Sequence, residues 1–179
     1  VTPADLSSQQ IDVVDKPFYL ALCRIEPENN VALTLQAFSE AGARLIFIGN
    51  WSSSEYGKRL RDEFSDTVNI LLLDPIYDER VLSTYRSRCL AYVHGHSAGG
   101  TNPSLVEMMH FEKPIIAFDC VYNRASMENN GVFFDSVEAL KDLIQNAQEL
   151  PGARELRNIA QRRYNWNIIR QQYLGLFKH

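Results

Sequence analysis

Residues 94–107 read HGHSAGGTNPSLVE and contain Gly95-His96-Ser97-Ala98-Gly99, a full match to the G-x-S-x-G elbow of serine hydrolases. A nucleophilic Ser97 would require a strained strand-to-helix turn with the helix directly behind it, then an acid and a histidine further along the chain. The surrounding residues withhold that context. Asn102 followed by Pro103 reads as an N-cap with proline at the first helical position, so the helix begins well past the serine. The downstream histidines are His110, inside that helix, and the terminal His179, and no HGGG-like segment lies upstream. Ser97 therefore reads as a loop hydroxyl in a small-residue turn.

The same stretch suits a different chemistry. A glycine loop running into a helix start presents backbone N–H groups to an anion, and Gly99, Gly100, Thr101 and Asn102 lead into such a start. Phosphate is the expected guest. Glu107 lies four residues into the helix, about 6 Å along its axis at the usual rise, where a carboxylate can accept hydrogen bonds from a ribose diol. On spacing alone, a solvated helix face explains Glu107 equally well. His94 and His96 sit at the carboxyl end of an apolar strand, either as donors to a sugar or diphosphate or as structural loop histidines. Arg24 follows the apolar run FYLALC, a place packing explains poorly, and its planar fork suits a diphosphate. Tyr122-Asn123-Arg124 is either a loop that closes over a ligand or a surface turn.

Positioning these groups requires a rigid frame. From Phe18 the chain alternates apolar runs with helical patterns: FYLALCRI and NNVALTLQAFSEA, RLIFIG and SEYGKRLRDEF, NILLL and DERVLSTYRS, LAYVHG and NPSLVEMMHF, then PIIAFD. This alternation predicts a Rossmann-like, doubly wound α/β fold, a parallel sheet with helices on both faces. Beyond Asp119 the sequence predicts an irregular stretch, CVYNRASMENNG, a short VFF run, and helices over 136–149, 151–163 and 167–177. Ligands of open parallel sheets bind outside the carboxyl ends of the strands, so the loops after Arg24, Gly49, Leu73, Gly95 and Asp119 should share one rim.

With 179 residues and 45% hydrophobic content, the chain can bury one sizeable core. A net charge of -4 offers no basic stripe for a nucleic-acid backbone. Cys23, Cys89 and Cys120, odd in number and set among apolar neighbours, read as buried thiols of a reducing compartment, which implies a cytoplasmic protein. The opening VTPADLSSQQ reads as a cut inside a longer protein, with residues 1–17 a linker or crossover from an upstream domain.

At these residues the sequence resembles the C-terminal, donor-binding domain of GT-B glycosyltransferases, specifically glycosyltransferase family 4 (group 1), over nearly its whole length. LCRIEPENN is similar to the family's first-strand G-R-x-x-x-x-K-G motif, with Arg24 on the arginine and Asn29 in place of the lysine. GGTNPSLVE is similar to the E-x-x-x-x-x-x-x-E motif, with Glu107 on the second, ribose-binding glutamate and Gly99 in place of the first. Both departures resemble a branch of bacterial surface-polysaccharide enzymes that includes rhamnosyltransferases. The resemblance implies that residues 18–179 bind a nucleotide-diphosphate sugar: Arg24, Asn29, Gly99, Gly100, Thr101 and Asn102 at the diphosphate and Glu107 at the ribose. Gly49, Asn50, Pro75 and Ile76 would present backbone to the base, although ordinary turn chemistry also accounts for them. His94 and His96 are candidates for sugar contacts. The implied reaction is retaining transfer of a hexose to a polysaccharide or lipid-linked acceptor, with dTDP-rhamnose the first expectation for the donor. With no Asp-x-Asp motif in the chain, no cofactor and no essential metal are expected. Acceptor contacts and the main catalytic groups would belong to an N-terminal domain, in an enzyme that is cytoplasmic or peripherally attached to the inner face of the membrane. The alternatives are a non-catalytic Rossmann-like nucleotide-binding module and a dehydrogenase; the latter lacks G-x-G-x-x-G after the first strand.

Overall fold

In the computed structural model, which describes residues 15–146, 150–165, 168, 170, 173 and 174, the apolar runs become six parallel strands. They are β1 (Tyr19–Leu22), β2 (Leu45–Ile48), β3 (Ile70–Leu73), β4 (Tyr92–His94), β5 (Ile115–Phe118) and β6 (Val132–Phe134), in the order β3-β2-β1-β4-β5-β6. Seven helices connect or flank them among the described residues: α1 (Val31–Ala41), α2 (Glu55–Phe64), α3 (Glu79–Arg88), α4 (Pro103–Met109), α5 (Val121–Ser126), α6 (Val137–Gln145) and α7 (Ala153–Arg163).

The near-continuous apolar strands follow from burial on both sheet faces. Leu20, Ile46, Ile48, Tyr92, Ile115 and Ala117 face a core completed by Tyr85, Leu105, Met108 and Leu156 from α3, α4 and α7. Tyr19, Ala21, Phe47, Val93 and Ile116 face the other core, with Leu35, Leu60 and Leu140 from α1, α2 and α6. The strand order reverses direction between β1 and β4, where Leu20 pairs with Tyr92 and Ala21 with Val93. That seam is the crevice where an open α/β sheet accepts ligands.

Several details differ from the sequence reading. The VFF run is a full sixth strand in register with β5, Ile116 opposite Val132. The stretch expected to be irregular after Asp119 contains α5, a helix too short to show an apolar period and begun by Cys120 without a side-chain cap. Of the three cysteines, Cys89 is buried while Cys23 and Cys120 are partly buried, all with free thiols. The expected helices at 136–149 and 151–163 are α6 and α7. Most of the expected 167–177 helix, Trp166 and residues 1–14 of the expected linker lie outside the described residues.

Candidate functional site

The loops leaving β1 and β4 are joined by a set of short hydrogen bonds. After β1 the chain makes a 3-10 turn over Pro27–Asn29, and Asn30 takes a left-handed conformation (φ 49°) that asparagine tolerates, starting α1. Asn30 Nδ2 donates to the Gly95 carbonyl at 2.8 Å. Ser97 donates from its amide at 3.0 Å and from Oγ at 2.7 Å, both to the Glu28 carbonyl. Gly95 allows this contact, because a Cβ there would lie 2.2 Å from the Asn29 carbonyl oxygen. A third loop joins through Asn123 on α5, buried, whose Nδ2 donates to the His96 and Phe118 carbonyls at 2.8 Å each.

This arrangement disposes of the elbow reading. The helix begins at Pro103, with Asn102 Oδ1 accepting the Ser104 amide at 2.9 Å, so residues 98–102 separate Ser97 from it. The Ser97 hydroxyl spends its proton on a backbone carbonyl, and the ring nitrogen of neighbouring His96 that forms a hydrogen bond does so with Asn29. Among the described residues, no hydrogen bond joins the serine hydroxyl to a base that could activate it.

Beside the stitched loops lies a cavity of about 250 Å³ lined by Leu22, Arg24, Asn29, His96, Asn102 and Ser104, among others. Arg24 stands largely exposed at its mouth, 3.4 Å from Glu26. The Glu26 Oε2 atom is buried yet accepts no hydrogen bond, so that contact is an ion pair without hydrogen-bond alignment. Asn29 is buried and engaged at both ends: Nδ2 donates to the Arg24 carbonyl at 2.7 Å and Oδ1 faces His96 Nδ1 at 2.7 Å. It shapes the wall and holds the main chain beneath Arg24. The amides of Gly99, Gly100 and Thr101 have no protein partner among the described residues, and Gly99 takes φ 96°. The first turn of α4 adds little to these donors, because Pro103 has no N–H and the Ser104 amide is already capped.

The two histidines are not equivalent. His94 is buried, its ring between Tyr92 and His96 with centroids 5.8 and 5.9 Å away, and its Nε2 has no partner. Burial first, then His96, pushes its pKa down to about 3, so it is neutral. It does not line the cavity; His96 does. Burial is also the main cause of the lowered His96 pKa, with Arg24 acting in the same direction and Glu28 and Glu26 opposing. The Cys23 thiol in the cavity wall is pushed up to about 12, chiefly by burial, and is unreactive at neutral pH.

Glu107, on α4, is half exposed and paired through Oε2 with Arg86 of α3, which is itself nearly buried and lies 5.8 Å from the Phe111 ring centre. Glu107 is thus a held carboxylate with Oε1 unpartnered among the described residues, rather than a freely solvated group.

The other end of the rim is built differently. Gly49 is buried, its amide committed to the Leu73 carbonyl at 3.0 Å, while Asn50 is exposed. Trp51 is fully buried and donates from Nε1 to the same Leu73 carbonyl at 3.0 Å. Asp74, just before partly buried Pro75 and Ile76, pairs with Arg61 at 2.8 Å. Arg124, sequence neighbour of Asn123, forks onto Asp119, with Nη2 to Oδ2 at 2.7 Å, and lies over Phe133 at 4.3 Å. Neither sequence reading of 122–124 describes it: the segment is helical, with Tyr122 exposed, Asn123 buried and Arg124 paired.

Three contributors were not singled out from sequence: Asn30, Arg86 and the carbonyl of Glu28. Only Asn30 carried a signal, as the second asparagine of a pair at a helix entry, where a left-handed cap is common chemistry.

A parallel six-stranded sheet in this order, with its rim cavity at the β1/β4 seam, defines a Rossmann-like domain of the type found as the C-terminal half of GT-B glycosyltransferases. The family model of glycosyl transferases group 1 matches residues 5–166, and the chain belongs to that family. No curated protein matches it in sequence. Among solved structures it is similar to the Anabaena protein HepE in complex with UDP-glucose, with TM-score 0.81 and 18% identity, over 98% of this chain and 53% of that one. It is also similar to sucrose-phosphate synthase from Thermosynechococcus elongatus, with TM-score 0.77 and 18% identity, over 92% of this chain and 45% of that one. A third is the α,α-trehalose 6-phosphate synthase from Burkholderia multivorans, with TM-score 0.75 and 12% identity, over 92% and 43%. The chain thus spans about half the length of the structures it matches. None of the described helices is long and apolar enough to cross a membrane.

Proposed function

We propose that this chain is the donor-binding domain of a retaining hexosyltransferase that moves a sugar from a nucleotide diphosphate to a polysaccharide or lipid-linked acceptor. The observation that carries this reading is the cavity at the β1/β4 seam, lined by Arg24, Asn29, His96 and Asn102 within group 1 glycosyltransferase architecture, with the unpaired amides of Gly99–Thr101 on the exposed loop between His96 and Asn102 rather than in the cavity wall. When the anomeric C–O bond breaks, its electron pair stays on the diphosphate, and fixed donors around that oxygen lower the barrier. Arg24 and the loop amides supply them; Glu107 Oε1 accepts from the ribose. The Gly49–Asn50 and Pro75–Ile76 segments border the base. HepE, whose structure holds UDP-glucose, supports a nucleotide-sugar donor. The two motif departures favour a rhamnosyltransferase-like donor such as dTDP-rhamnose, the lack of Asp-x-Asp favours metal-independent binding, and the three free cysteines favour the cytoplasm. Acceptor contacts are assigned to an N-terminal domain outside this chain, so alone it binds donor without transferring sugar.

Calorimetric titration with UDP, dTDP and GDP tests this reading and selects the base. Arg24→Ala should weaken diphosphate binding while sparing the corresponding nucleoside, and Glu107→Ala should cost roughly 1.5 to 3 kcal/mol against any of them. Equal losses with nucleoside and diphosphate for Arg24→Ala, or unchanged affinity for Glu107→Ala, would count against these assignments.

A further inference from the structure

His96 lies in the cavity wall with its tautomer fixed by its neighbours. The Arg24 carbonyl can only accept, so the Asn29 amide atom 2.7 Å from it must be Nδ2. That leaves Asn29 Oδ1 as the acceptor facing His96 Nδ1 at 2.7 Å, and Nδ1 must carry the ring proton. Neutral His96 therefore presents a bare lone pair at Nε2. This atom points at the glycine loop: a Cβ built on Gly99 would be 3.4 Å from it. A phosphate oxygen seated between Arg24 and the Gly99–Thr101 amides would meet that lone pair, and two acceptors repel.

The charges facing His96 make the mismatch worse. From the loop after β1 come Arg24, Glu26 and Glu28, one cation against two carboxylates. From β4 comes His94, neutral, and from the loop before α5 the Cys120 thiol, which donates to the His96 carbonyl at 3.7 Å. On its Nδ1 side His96 meets Asn29, which brings no charge. An anion entering this site lacks a positive partner at the Nε2 position.

We propose that His96 is a proton-coupled ligand of the diphosphate: the anion enters together with one proton from solvent, which binds Nε2 and converts it from acceptor to donor. No other bond is made or broken. The proposal rests on the donor-site reading above. In the free protein His96 is neutral at pH 7 to 8, because burial and Arg24 hold its pKa below the usual histidine value. Bound diphosphate reverses the field and raises it. Affinity is then highest below the free-state pKa and falls as pH rises through the bound-state value, by at most about tenfold per pH unit for one proton.

The test is calorimetric titration of the chain with UDP-glucose and dTDP-glucose at pH 6 to 9, in buffers of different ionisation enthalpy. Sugar conjugates are chosen because the terminal phosphate of a free nucleoside diphosphate itself titrates near about pH 6. The expected result is proton uptake approaching one per site at pH 7.5. His96→Asn, which keeps a donor near the Nδ1 position for Asn29, should bind with a flat pH profile and no uptake. Long-range ¹H–¹⁵N imidazole spectra of the unmodified chain should show Nε2 unprotonated when free and protonated when bound. Binding without uptake, uptake retained in His96→Asn, or an unprotonated Nε2 in the complex would overturn the proposal and leave the donor site standing. Failure of both conjugates and of UDP, dTDP and GDP to bind would sink the two together.

Discussion

The two ends of the binding rim are built on opposite plans. At the β1/β4 end, three side-chain amides and the Ser97 hydroxyl are committed to backbone carbonyls within and between three segments, the amide bonds partly buried and the Ser97 bond at the surface. At the β2/β3 end the Leu73 carbonyl accepts both the Gly49 amide and the Trp51 indole, and the ionised groups there, Arg61 and Asp74, pair in solvent. Buried polar networks hold one geometry because an unmade bond in them is costly, whereas an exposed ion pair contributes little. The β1/β4 end is therefore held in one shape, and the β2/β3 end is freer to adapt.

The largest effect should come from Gly95→Ala, which forces a methyl group to within 2.2 Å of the Asn29 carbonyl and separates the stitched loops. We expect a loss of about 3 kcal/mol in urea unfolding, with nucleotide binding abolished even at temperatures where the domain remains folded. Unchanged stability would mean the loops give way easily, and the contrast between the two ends would collapse. Asn29→Ala comes next. It strands the Arg24 carbonyl and the His96 Nδ1 proton, and should cost about 2 kcal/mol, with diphosphate affinity falling through misplacement of Arg24 and His96. At the other end, Arg61→Ala breaks only the pair with Asp74 and should change the unfolding free energy by roughly 0.5 kcal/mol or less. A loss as large as that of Asn29→Ala would show that the β2/β3 end is as rigid as its counterpart.

What sequence made legible follows the range of the interactions. The strands were readable because burial on both faces leaves continuous apolar runs such as LIFI. The start of α4 was readable because the cap and the proline are adjacent. Helix α5 was not, since its short span carries no period and its cap uses no side chain. The work of Asn29, Asn30 and Asn123 was hidden for a different reason. Their partners are backbone carbonyls or ring nitrogens, distant in the chain for Asn30 and for the His96 contacts of the other two, and nothing in an asparagine's identity says which one it will meet. The Arg86–Glu107 pair likewise joins two helices across a fold that had first to be assembled.

The seam also bears on the order in which the molecule acquires competence. The Tyr92 hydroxyl reaches the Leu22 carbonyl across 70 positions of sequence, Ser97 reaches Glu28 across 69 and Asn30 reaches Gly95 across 65. Closing such distant contacts is the slow, entropically expensive part of building a parallel sheet. A chain organised only through β3 would hold Arg24 and Asn29 but neither His96 nor the glycine loop. On the proposed function, nucleotide recognises only the chain whose two halves have docked, and by mass action it draws the population toward that state. Donor sugar would thus act as a late folding ligand, guarding the join on which its own recognition depends.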